Sequence, residues 1–147
     1  MKSKFIIPAL ALVPVLVFAQ TSPNLVGAWK GVGNAAVAGA DIYHPTEKDK
    51  EKSVRFTNME FTLVVDREEG RNFTGYISST SNKTTANADN KKMILGSYAK
   101  DMKSGVWVNE VGGNATFKLA DSNLLEVCYT QVSPKPMVAD CLEMIKQ

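Results

Sequence analysis

The chain is poor in the residues that carry most protein chemistry. Its 147 residues include one histidine, His44, and two cysteines, Cys128 and Cys141. A zinc site wants three or four Cys or His ligands, and no CxxC pair occurs, so the composition leaves no metal site. Nucleophilic catalysis needs a base beside a Ser, Thr or Cys. His44 stands alone before Pro45, in a polar stretch, and reads as a solvated loop residue. No Gly-rich phosphate loop is present, because Gly31-x-Gly33 is not followed by a helix. Glu68-Glu69 is the most obvious carboxylate pair, and it falls in a turn. These gaps point to a non-catalytic protein with no cofactor.

Long apolar runs are also scarce. The longest, Phe5 to Val17, is broken by Pro8 and Pro14 and is shorter than the roughly 20 residues of a membrane span. Lys2 and Lys4 precede it, and Val17-Phe18-Ala19 follows with small or tolerated residues at the cleavage positions. This is the layout of a secretory signal peptide over residues 1–19. Residues 20–147 then form a single domain, long enough for its own core. Export to the periplasm or the medium is the expected location, with no membrane insertion after cleavage.

Net charge of one sign is missing as well. The full chain has 17 basic and 15 acidic residues. Loss of Lys2 and Lys4 makes the two counts equal. A neutral domain without a basic stripe has no general attraction to nucleic acid or anionic membrane. In an exported chain the two cysteines read as one disulfide, Cys128–Cys141.

Amphipathic helical periodicity is absent, and alternation is abundant. Eight strands are expected: Leu25 to Val37, Val54 to Asp66, Asn72 to Ser79, Met93 to Ala99, Val106 to Val111, Ala115 to Ala120, and the two arms of a final hairpin, Leu124 to Gln131 and Met137 to Ile145. Gly, Asn and Asp turns separate most of them. The segment between the first two contains the alternating charge run 47–52, which reads as solvated. The expected fold is all-β: an antiparallel eight-stranded up-and-down β-barrel, with a Greek-key β-sandwich as the alternative.

In such a meander the connections alternate between two ends. Ala38–Ser53, Thr80–Lys92, Gly112–Asn114 and Val132–Pro136 fall at one end, which gathers both long segments. The other end has tight turns only. A barrel of eight strands is filled by side chains or holds one small ligand, and long loops at one rim are where recognition groups collect.

The last hairpin fixes a register. If Cys128 faces Cys141, Val127 faces Leu142 and Leu125 faces Met144, giving an apolar inward face. Glu126 then faces Glu143 on the outside, beside the disulfide. Tyr129 faces Asp140 on the inside, toward the Pro134-Lys135-Pro136 turn and hence the long-loop rim. Tyr129 and Asp140, with Phe61, Leu63, Phe117 and Val127, are the expected ligand-binding residues.

Leu25-Val26-Gly27-Ala28-Trp29 resembles the Leu-x-Gly-x-Trp opening of the calycins, the barrels that include lipocalins, fatty-acid-binding proteins and avidins. Asn72-Phe73-Thr74-Gly75-Tyr76 is similar to an avidin segment with Phe-Thr-Gly before a strand. The resemblance implies a barrel that binds a ligand. The first strand starts at the tight-turn end, so Trp29 is expected to plug the barrel base, with a binding platform as the alternative, and the resemblance implies a cation near the chain end over the indole, for which Lys146 is placed. Gly27, Gly31 and Gly33 share the face of Trp29 and are expected to leave room for its ring. The expected partner is a small, mostly apolar molecule bound at the long-loop end. The alternative is a secreted protease inhibitor or other protein-binding module, since small inhibitor barrels open similarly and carry one disulfide.

Overall fold

Alternation of apolar and polar residues becomes a closed wall in the computed structural model, which describes residues 24–38, 54–81, 91–132 and 137–147. The signal segment, His44, the charge run 47–52 and the turn 134–136 lie outside the described residues. Eight strands run in sequence: β1 (Gly27–Ala38), β2 (Val54–Glu69), β3 (Asn72–Ser81), β4 (Lys92–Tyr98), β5 (Ser104–Asn109), β6 (Gly113–Asp121), β7 (Leu124–Gln131) and β8 (Met137–Lys146). Each pairs antiparallel with the next, and β1 pairs with β8, so the sheet closes as an up-and-down barrel. The sandwich alternative is thereby set aside.

Strand ends differ from the sequence expectation for local reasons. Leu25 leaves the β1 ladder and folds under the barrel. Its N–H donates to Glu68 Oε1 at 2.8 Å, and its carbonyl accepts from Trp29 Nε1 at 2.8 Å. β2 runs on to Glu69 because a bulge between Val65 and Arg67 absorbs one residue. β5 stops at Asn109 rather than Val111. The Asn109 Oδ1 accepts from the amides of Val111 and Gly113 at 3.1 and 2.7 Å and so turns the chain.

One barrel end is sealed by side chains. The Trp29 indole is fully buried, with Lys146 Nζ 5.2 Å from the ring centroid. The same ammonium donates to the Asn24 carbonyl at 2.9 Å. Tyr98 Oη donates to Glu68 Oε1 at 2.6 Å, and Arg71 reaches the Tyr98 carbonyl. Burial first, then the neighbouring Glu68 carboxylate, push the Tyr98 phenol well above its ordinary value. Above this base Phe73, Tyr98 and Phe117 meet edge-on at 5.6 to 5.7 Å, and Trp107 stacks on Phe117 at 5.6 Å. Edge and offset contacts between rings add about 0.5–1.5 kcal/mol each beyond the area they bury.

Gly31 and Gly33 make room for the neighbouring strand β8 rather than for the indole. A Cβ at Gly31 would collide with the backbone of Glu143, and one at Gly33 with the Asp140 carboxyl. Their role is to let β8 and its inward side chains approach β1. The β1–β8 ladder pairs Trp29 and Lys30 with Lys146 and Ile145, and Ala36 to Ala38 with Ala139 to Met137, and is interrupted between.

The outer wall has an apolar stretch. Tyr76 and Met93 are opposed on β3 and β4, Leu95 and Val108 on β4 and β5, and Val106 lies beside them. All five are exposed.

Candidate functional site

The final hairpin has the register that opposes its cysteines. Cys128 faces Cys141 and they are disulfide-bonded, with Cα atoms 4.0 Å apart. Val127 faces Leu142, Leu125 faces Met144, and Glu126 faces Glu143. The cysteines and both glutamates are exposed, and the inward pairs are buried. Lys118 of the neighbouring strand lies 3.9 Å from Glu126, which offsets part of the like-charge cost in water.

One step from the disulfide, Tyr129 faces Asp140. Both point inward, and both are more than nine-tenths buried. The register carries a row from this pair around the wall, and beyond Gly96 it descends to Phe73 and Glu68 at the base. Asp140 is opposed to Tyr129, Tyr129 to Ala115, Ala115 to Trp107, and Trp107 to Gly96. Large and small side chains alternate along the row, which lets the large ones share the lumen. Trp107 and Asp140 are three strand steps apart, or roughly 14 Å along the wall.

Toward the long-loop end the polar atoms form a chain. Asn109 Nδ2 donates to Tyr129 Oη at 3.0 Å, and Tyr129 Oη donates to Gln131 Oε1 at 2.8 Å. A Cβ at Gly113 would collide with the Tyr129 hydroxyl, so glycine there leaves the phenol its seat. Burial pushes the Tyr129 phenol up, against the stabilising hydrogen bond from Asn109. The phenol therefore stays neutral near pH 7 and acts as a donor and acceptor.

Two buried side-chain atoms of the described residues have no partner. They are Trp107 Nε1 and Asp140 Oδ2. Burial raises the Asp140 carboxyl above its ordinary value, and a hydrogen bond from the Cys141 amide works the other way. Among the described residues Asp140 is the one buried side chain that can carry a full charge at neutral pH, and no buried Lys, Arg or His accompanies it. No three His, Cys, Asp or Glu side chains of the described residues gather as metal ligands would.

The expected binding residues divide into two groups. Phe61 is buried with its ring 6.2 Å from that of Tyr129, so Phe61, Tyr129 and Asp140 share the upper lumen. Leu63 is opposed to Trp29, and Phe117 packs on Phe73 and Tyr98, so both belong to the base half. Val127 pairs with Phe117 in the register and lies with it. Asn109 and Gln131 join the site through Tyr129 although sequence reasoning did not single them out, and Trp107 stacks on Phe117 in the base half. Inward alternation of Trp107 with Asn109 was a signal, but Val106 and Val108 on the outer face gave the strand two apolar sides.

Comparison with protein-family models, curated proteins and solved structures finds no match to this chain.

Proposed function

We propose that this chain is an exported, non-catalytic, calycin-like barrel that binds a small, mostly apolar molecule in the half of its lumen toward the long-loop end. The observation that carries the reading is the buried, partnerless Oδ2 of Asp140 in that half. Leaving such an atom unsatisfied costs about 1–3 kcal/mol. A ligand with a complementary donor recovers that cost. The rings of Phe61 and Tyr129 suit an apolar body. The sealed base and the filled lower lumen leave the upper half as the place to bind. The disulfide fits an oxidising compartment and, with the N-terminal signal pattern, supports the periplasmic or secreted reading.

A protein-binding module, such as a protease inhibitor, is the second reading. It draws on the exposed apolar stretch of Tyr76, Met93, Leu95, Val106 and Val108. Native mass spectrometry of protein purified from its own host separates the two. A stoichiometric small-molecule adduct supports the first. An adduct-free protein that co-purifies with a protease overturns it.

A further inference from the structure

Asp140 is a costly residue to keep inside this barrel. A carboxylate removed from water needs a countercharge or several donors. Here Oδ2 has neither, and the described wall around it offers no cation. The faces packed against the carboxyl are Gly33 of β1, where a Cβ would collide with it, and Tyr129 of β7, opposite in the register. Tyr129 Oη is engaged with Asn109 and Gln131. The neighbouring cysteines turn outward. The fold thus builds a close-fitting seat for a carboxyl, with glycine conceding the space, and then gives one of its oxygens no partner.

The neighbourhood of the carboxyl is aromatic. Phe61 and Tyr129 lie beside each other in the same half of the lumen. Aromatic faces attract a desolvated cation. We infer, building on the ligand-binding reading above, that the ligand class is a small organic amine: a protonated nitrogen paired with Asp140 and an apolar body against Phe61 and Tyr129. Binding involves no bond making and needs no metal. The raised proton affinity of the empty carboxyl agrees with this, because an incoming ammonium supplies the charge that favours the ionised form.

The test uses the full secreted chain and isothermal titration with 2-(4-methoxyphenyl)ethylamine, its neutral counterpart 2-(4-methoxyphenyl)ethanol, and a short panel of aliphatic and aromatic amines. The amine is expected to bind more tightly than the alcohol by about tenfold or more. In Asp140→Asn that preference is expected to vanish, chiefly through weaker amine binding. A second readout does not depend on a variant folding. Wild-type affinity for the amine should rise with pH as Asp140 ionises, and affinity for the alcohol should not. Tyr129, the titratable group facing Asp140, stays neutral over that range. Equal or tighter binding of the alcohol, or an amine preference that survives in Asp140→Asn, overturns the amine class and leaves a ligand-binding barrel standing. Failure of every amine to bind also overturns it. The broader reading is then decided separately by the adduct mass of the host-purified protein.

Discussion

The carboxyl of Asp140 occupies the space where Gly33 would carry a side chain, so one residue of β1 and one of β8 fill a single position in the wall. Gly33→Ala is expected to destabilise the barrel by about 1–3 kcal/mol, the usual cost of forcing atoms into a packed site. Asp140→Ala should absorb much of that cost when combined with it. Urea unfolding of the two single variants and the double variant measures the coupling. Strict additivity would mean that the two residues do not compete for space.

Asp140 also makes stability depend on pH. Its folded-state value is raised by burial above the ordinary 3.8. The folded state therefore holds the proton more tightly than the unfolded state. The resulting stabilisation is complete below the unfolded value and is lost as pH rises through the folded one. Asparagine does not titrate. The melting temperature of Asp140→Asn relative to wild type should therefore climb from about pH 3 to neutrality. A constant difference across that span would contradict the burial of the carboxyl.

Replacing both cysteines tests the staple. Cys128→Ser with Cys141→Ser is expected to lower stability by roughly 3 kcal/mol, from the chain entropy returned to the unfolded state. In the native protein, iodoacetamide without reductant should label neither cysteine, and mass spectrometry reads this directly.

The two tryptophans should respond differently to the same change. Trp29→Phe loses the hydrogen bond to the Leu25 carbonyl and part of the Lys146 contact, whereas Trp107→Phe removes an N–H that has no partner. Both leave a similar void. Trp29→Phe is thus expected to cost more by about 0.5–2 kcal/mol in urea unfolding. A larger cost at Trp107 would show that its N–H is satisfied after all.

Much of this architecture was legible because strands declare their faces by parity. In the final hairpin, one assumed contact between Cys128 and Cys141 placed Val127 on Leu142 and Tyr129 on Asp140, and these pairings are found. The indole at the base followed from the start of the first strand at the tight-turn end, and the ammonium above it from the resemblance at Leu25 to Trp29. Parity was less informative for β4 and β5. Met93, Leu95, Val106 and Val108 are apolar on the outside, so the inward set of Ile94, Tyr98, Trp107 and Asn109 was hidden in a two-sided pattern. The purpose of Gly33 was hidden too. Its partner lies more than a hundred positions away in sequence, and only the closure of the barrel brings them together.

That closure has a mechanical side. Around most of the circumference the strands are joined along their length, but β1 and β8 are joined at two short stations with an unladdered interval between them, from Gly31 to Ala35. The ring behaves as a curled ribbon pinned at both ends of its overlap. A ribbon of that kind yields first in the unpinned middle, so slow breathing of the wall should start where Gly33 meets Asp140. Deuterium would enter there before it enters the ladders between β2 and β3 or between β6 and β7.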